Sequence, residues 1–270
     1  MRQRIGSLLF MMLFLWGNIA CAAAPAPQVG AEAAVLMVAN TKQVLFEKNA
    51  HNIMYPASTT KIMTLITALE RGNPNSIVTV SSSAAACEGS SLELNAGDKL
   101  TLNNAMTGMM LVSGNDAAEA IAAHVAGSIP LFVNMMNANA EKIGAKSTHF
   151  SNPHGLPDPY NHYTTAYDLA LITNYGMQNT IFAKIVSTKE YTVEFVNGKK
   201  THVKNTNKML TTYPGANGAK TGYTEAAGDC LVATAKRGNL QLIAVILNSD
   251  DTRWEDATKL LDYGFQQAGL

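Results

Sequence analysis

The spacing of apolar and polar positions changes character along the chain and marks out its elements. Residues 34–39 and 43–47 are two short apolar runs around Asn40-Thr41-Lys42, a hairpin pattern. After Pro56 the period lengthens. Ile62, Leu65, Ile66 and Leu69 fall at i, i+3, i+4 and i+7, the stripe of an amphipathic helix that Gly72 ends. Residues 77–80 read as a short strand, and 81–98, small and polar, as a loop near a site. Residues 100–110 and 116–126 read as helices broken at Ser113-Gly114-Asn115, and Pro130 opens a third that Gly144 closes. Residues 149–163 hold three prolines and a glycine and read as a loop, with helices following over 165–175 and 179–186.

The period then shortens again. Residues 190–196 and 201–203 flank Asn197-Gly198 as a second hairpin. Residues 215–222 lead into strands at 229–235 and 240–247, joined at Arg237-Gly238-Asn239. A helix over 251–267 closes the chain, with Trp254, Leu260, Leu261 and Phe265 as its apolar positions. Strands, a helical middle, strands and a last helix predict an α+β fold: an antiparallel sheet flanked by terminal helices, with an inserted all-helical lobe. A cleft between two such lobes is a natural place for a site.

Composition narrows the function classes. Of 270 residues, 47% are apolar and 15% charged, which excludes a disordered chain. Basic and acidic residues balance at 20 each, and no basic cluster points to nucleic acid. The first 24 residues have the form of a secretory signal: Arg2 and Arg4, an apolar run over 8–16, then small residues from Ala20 to Ala24. The expectation is an exported protein with one domain over 25–270, working in the periplasm or wall space. Cys21 keeps a lipoprotein alternative open, although Asn18 stands where a lipobox carries an aliphatic residue. Two cysteines remain beyond the leader. Cys230 lies in an apolar strand pattern and reads as a buried small hydrophobe rather than a disulfide partner, and Cys87 falls in the loop before Leu100.

Three short motifs carry chemistry. Ser58 and Lys61 stand three apart at the start of a helix, on one face, where orphan N–H groups favour developing negative charge. A serine needs a base, and a desolvated lysine can be one. Alone the motif is cheap: about one Ser-x-x-Lys is expected by chance in a chain this long, and a lone serine at this place is more often a helix cap than a nucleophile. Ser113-Gly114-Asn115 also has a capping alternative. Lys220-Thr221-Gly222 is rarer, its bland meaning a turn before a strand. In this order, in an exported chain, the three form the set that marks penicillin-binding proteins and class A β-lactamases.

With these motifs the chain resembles the low-molecular-mass penicillin-binding proteins that are D-alanyl-D-alanine carboxypeptidases of bacterial cell walls. The resemblance rests on Pro56-Ala57-Ser58-Thr59-Thr60-Lys61, Ser113-Gly114-Asn115-Asp116-Ala117, His154-Gly155-Leu156, Ala166-Tyr167-Asp168-Leu169 and Gly218-Ala219-Lys220-Thr221-Gly222. It implies a β-lactamase/transpeptidase-like fold and a serine peptidase that removes the terminal D-alanine of peptidoglycan stem peptides. The catalytic residues it implies are Ser58 as nucleophile, Lys61 as base with its pKa lowered by burial and Lys220, and Ser113 as proton relay. Asn115 would hold the substrate amide and the Lys61 amine. Lys220 and Thr221 would bind the terminal carboxylate on a strand edge, and Gly222 would let the substrate backbone approach. The amides of Ser58 and Tyr223 would form the oxyanion hole.

Arg253 either joins the carboxylate site or pairs locally with Asp250 and Asp251. His154 and Asp168 are expected to support rather than react. No cofactor or metal is expected, since the histidines lack ligand spacing. β-Lactams are expected as covalent inhibitors. The chain ends at Leu270, without the β-rich domain and amphipathic anchor of the best-known members, so no stable membrane anchor is expected. A DD-endopeptidase, or a non-catalytic penicillin- or peptidoglycan-binding sensor, would use the same residues. A class A β-lactamase would need a deacylating glutamate, and Glu93, Glu119, Glu141, Glu190 and Glu194 lack the right place or surroundings.

Overall fold

The first hairpin forms as its pattern predicts: β1 (Ala33–Val38) and β2 (Val44–Lys48) pair antiparallel, with Asn40 and Lys42 at positive φ in the turn. A computed structural model describes residues 25–270. The signal segment 1–24 and the lipidation alternative at Cys21 lie outside the described residues.

After the hairpin a 3-10 turn, Ala57–Thr60, runs straight into α1 (Lys61–Arg71). The lobe that follows comprises β3 (Ile77–Thr79), α2 (Ser82–Ala85), β4 (Lys99–Thr101), α3 (Leu102–Val112), α4 (Asn115–Ala126), α5 (Ile129–Ile143), α6 (Ala166–Met177) and α7 (Thr180–Ser187). Its helices begin where side chains can replace the missing carbonyl partners. Thr165 Oγ1 accepts the N–H of Asp168 at 3.0 Å, and Asn179 Oδ1 accepts the N–H of Ile181 at 2.9 Å. β5 (Glu190–Glu194) and β6 (Lys200–Lys204) make the second hairpin, tied to α3 where Tyr191 donates to Asn104 Oδ1 at 2.7 Å.

The chain then returns to the first sheet through α8 (Met209–Thr212), β7 (Ala216–Thr224), β8 (Gly228–Arg237), β9 (Leu240–Ser249) and α9 (Arg253–Gln267). The strand order is β2-β1-β9-β8-β7, antiparallel throughout. β1 therefore sits beside β9, and β7 is left as an edge.

Alternation along these strands divides the core in two. Leu231, Ala233, Leu242, Ala244 and Ile246 face outward onto Ala257, Leu260, Leu261 and Phe265 of α9. Cys230, Val232, Ile243, Val245 and Leu247 face inward, into the core shared with the lobe. Cys230 is fully buried with a free thiol, as its strand pattern predicts.

Three expectations change. The inserted lobe is not all helical: β3–β4 and β5–β6 are two-stranded sheets within it. Leu100 belongs to β4 opposite Val78, and the helix starts only at Leu102, because Thr101 takes the extended cap position and accepts the Asn104 N–H. Of the two flanking terminal helices expected, only α9 is present among the described residues. The inner face is covered by the lobe itself, through α1, α6 and α7.

Candidate active site

Lys61 is the centre. It is fully buried, and its Nζ has three neighbours: Ser58 Oγ at 2.9 Å, Asn115 Oδ1 at 2.7 Å and the His154 carbonyl at 2.8 Å. Burial first, and then the nearby Lys220 charge, hold its pKa well below the ordinary lysine value. In the neutral amine two N–H bonds serve the two carbonyl oxygens, which leaves the lone pair directed at the Ser58 hydroxyl. That is the arrangement a general base needs.

The local fold produces this contact. Ser58 lies in the 3-10 turn rather than in α1, and its hydroxyl caps nothing. The capping alternative is thereby removed. Thr59 donates to the Pro56 carbonyl and Thr64 to the Pro153 carbonyl at 2.5 Å, tying the turn down on both sides. Gly155 at φ +98° packs against the Ala57 carbonyl, where an added Cβ would overlap it at 1.9 Å. Loop 152–156 thus presses on the nucleophile turn and supplies the His154 carbonyl to Lys61. The loop histidine acts through its backbone. Its ring is pushed down to about 3, by burial first and then by Lys61, and stays neutral.

Ser113 occupies a left-handed position (φ +65°) between α3 and α4, which turns it into the cleft with Ser58. Asn115, first residue of α4, is buried. Its Nδ2 donates to the Glu88 carbonyl at 2.6 Å, so its Oδ1 is the atom that faces Lys61.

The other wall is β7. Lys220 is buried, its Nζ donating to the Thr221 carbonyl at 3.0 Å, and burial followed by the Arg253 charge pushes its pKa down to about 7. Thr221 Oγ1 lies 2.8 Å from Thr206 Oγ1, and Thr221, Gly222 and Tyr223 line a cleft of about 250 Å³ with Ser58, Ser113 and Arg253. Gly222 has a packing duty beside the one the resemblance implies. A Cβ there would stand 3.1 Å from both Ala57 Cβ and the Ser58 amide, so its bare backbone lets β7 close on the nucleophile turn. Tyr223, next along the strand, is exposed, and its side chain is free to vary.

Arg253 takes neither of its expected local partners. Asp250 and Asp251 stay out in solvent, while Nη1 donates to the Gly222 carbonyl at 3.0 Å and pairs with Asp229 at 2.8 Å. It therefore braces the end of β7 and faces the cleft. Asp168 lies apart: its carboxylate accepts from Ser147 N–H and Thr148 Oγ1, a local structural duty.

Cys87, Glu119 and His154 meet beside Lys61, with one potential ligand atom from each within 4.8 Å of the others. The Leu156 N–H donates to His154 Nδ1 at 3.2 Å, which places the ring proton on Nε2, 3.6 Å from Glu119 Oε1. The thiol donates to the Glu88 carbonyl at 3.9 Å, and burial followed by the Glu119 charge pushes it up to about 11. With Nδ1 taken by the Leu156 N–H and the proton on Nε2, the His154 ring offers Cys87 and Glu119 no free lone pair. Glu119 is turned to this trio and not to Ser58.

Sequence reasoning missed Glu88, Ser90 and Thr206, and cited Gly155 only as part of a motif, without a role. Glu88 and Ser90 act through their carbonyls and Gly155 through its backbone conformation, which side-chain chemistry does not reveal.

This geometry has close counterparts. The family model for D-alanyl-D-alanine carboxypeptidase matches residues 20–251. The Bacillus subtilis D-alanyl-D-alanine carboxypeptidase DacF is 38% identical over 88% of this chain and 62% of its own length. DacB2 of Mycobacterium tuberculosis is 34% identical over 89% and 84% respectively. The crystal structure of the Streptomyces K15 DD-transpeptidase superposes with a TM-score of 0.85 at 34% identity, covering 90% of this chain and 99% of that one. The chain thus spans about three-fifths of DacF and nearly all of the K15 enzyme. Its fold, its motifs and these likenesses place the chain in the D-alanyl-D-alanine carboxypeptidase family.

Proposed function

We propose that the protein is a penicillin-inhibited, serine-type D-alanyl-D-alanine carboxypeptidase acting on peptidoglycan stem peptides outside the cytoplasm. The observation that carries this reading is the Lys61 amine held between two carbonyl oxygens and the Ser58 hydroxyl.

An extended stem peptide pairs with the open edge of β7, its terminal carboxylate toward Thr221, Lys220 and Arg253. Ser58 Oγ adds to the carbonyl between the two D-alanines while its proton passes to Lys61 Nζ. The amides of Ser58 and Tyr223 stabilise the oxyanion. The C–N bond then breaks, and the proton reaches the leaving amine through Ser113. Free D-alanine departs, and water hydrolyses the ester to regenerate Ser58. With penicillin the amine that leaves is part of the same molecule and stays in the cleft, so the ester persists.

The test follows D-alanine release from a synthetic peptide ending in Lys-D-Ala-D-Ala, beside a Ser58→Ala variant and a penicillin-treated sample. Release that disappears in both controls is the expected result. Labelling of Ser58 by penicillin with cleavage only of cross-linked stems would assign an endopeptidase instead. Labelling without any cleavage would assign a sensor.

A further inference from the structure

Residues 88–94, the strap between α2 and β4, contain none of the motif residues, yet they are laced to the start of α4. Glu88 O accepts from Asn115 Nδ2, and Ser90 O accepts from the Asn115 backbone N–H, both at 2.6 Å. The Asp116 carboxylate, 1% exposed, accepts from Ser91 Oγ at 2.7 Å, Leu92 N–H at 2.9 Å and Leu94 N–H at 3.0 Å. Leu92 is buried against Gly108 of α3, which has no Cβ to block it. The strap is thus pegged at its far end and hydrogen-bonded at its near end.

This lacing decides a chemical question. The two ends of the Asn115 side chain are nearly isosteric, and only their partners distinguish oxygen from nitrogen. A carbonyl at Glu88 demands the NH₂ group there, so the oxygen must face Lys61. With the amide reversed, an N–H would point at the Lys61 amine and compete with Ser58 for its lone pair.

We propose that residues 88–94 are a positioning element for the general base, with the Glu88 carbonyl fixing the Asn115 amide and, through it, the direction of the Lys61 lone pair. The role rests on the reading of Ser58 and Lys61 as nucleophile and base. Gly89 is its sensitive point. It sits at φ +91°, and a Cβ there would lie 2.7 Å from Asn115 Nδ2, whose displacement relieves the overlap at less cost than moving backbone. Gly97, at φ +85° in the same connection, has nothing within 4 Å of its Cβ direction and carries the same backbone strain alone.

The experiment compares Gly89→Ala with Gly97→Ala. Hydrogen exchange of the Asn115 side-chain amide, read by NMR, reports the Glu88 contact without reference to catalysis. Acylation by a fluorescent penicillin over a range of pH reports the base. Lys220 from β7, Cys87 from the strap side and Asp116 from α4 are the groups whose charges act on Lys61, and neither substitution alters them.

Gly89→Ala is expected to lose amide protection and to acylate roughly 10- to 100-fold more slowly, the range for a misplaced catalytic group. Its acidic limb should move to lower pH, because the Lys61 ammonium has lost a carbonyl acceptor. Gly97→Ala should keep protection, rate and limb. Equal losses in the two variants, or a Gly89→Ala enzyme with an intact amide and an unmoved limb, would overturn the positioning role. An unprotected amide with undiminished acylation would overturn it as well. Wild-type protein with a protected amide that takes no penicillin would instead refute the nucleophile–base reading, and the positioning role with it.

Discussion

The two faces of the five-stranded sheet are built on opposite rules. On the outer face α9 lays Ala257, Leu260, Leu261 and Phe265 over Leu36, Leu231, Leu242 and Ile246. The buried charge there, Asp256, is fully answered: its carboxylate accepts from the backbone N–H groups of Gly30 and Ala31 and from Ser249 and Thr252. On the inner face the apolar core is interrupted by Lys61 and Lys220, both lysines buried where charge is disfavoured. One face spends its burial on stability. The other gives some of it up to keep an amine neutral beside a hydroxyl.

The contrast breaks most sharply at Lys61. Lys61→Met should slow Ser58 acylation by about 10²- to 10⁴-fold, the usual worth of a general base, while leaving thermal stability unchanged or raised, since a buried amine becomes a thioether. A stopped-flow acylation assay beside a melting curve reads both. The mirror experiment is Leu260→Ala on the outer face. It should cost about 2–5 kcal/mol in denaturant unfolding and leave the acylation rate of the folded enzyme intact. If the two substitutions affected both properties alike, the division between faces would be wrong.

Gly222→Ala sharpens the account at the seam. The new methyl would press on Ala57 and the Ser58 amide, and a displacement of the nucleophile of this kind costs up to about 10²-fold in acylation. A variant acylating at the wild-type rate would show that the seam is loose.

The smallest effect is on stability against pH. Lys220 has a folded pKa of about 7, below its unfolded value of about 10.4. Between these values the unfolded chain holds a proton that the folded one has released, so this contribution to stability rises with pH, by up to about 1.4 kcal/mol per unit. The penalty for burying this amine is fully present below pH 7 and is relieved as pH rises toward about 10.4. Wild type should therefore gain on Lys220→Met as pH climbs from 7 to 9. A difference that stays flat would mean Lys220 keeps its proton.

The outer face was legible in the chain because it obeys simple patterns: the α9 stripe and the apolar runs of β8 and β9 were both visible. The inner residues Ser58, Lys61, Ser113, Asn115 and Lys220 were legible only as a set of motifs, since the burial of all but Ser58 contradicts their polarity. What lay beyond the sequence acts through backbone or distance. The Glu88 and His154 carbonyls belong to no residue type. The partner of Arg253, at the start of α9, is Asp229 on β8. That Gly222 also presses on Ala57 is a long-range contact that a one-dimensional motif does not show. The three-residue strand at Leu100 was hidden inside a helical pattern, since its pairing with Val78 is long-range.

The most direct test of a neutral Lys61 is the acidic limb of Ser58 acylation by penicillin, followed from pH 4 to 10 with enzyme in excess. The account predicts a rate that has reached its plateau by neutral pH, with the Lys61 transition far below the usual lysine range. A rate still rising tenfold per unit through pH 9 would show that Lys61 remains charged at neutrality, and would contradict its role as the base.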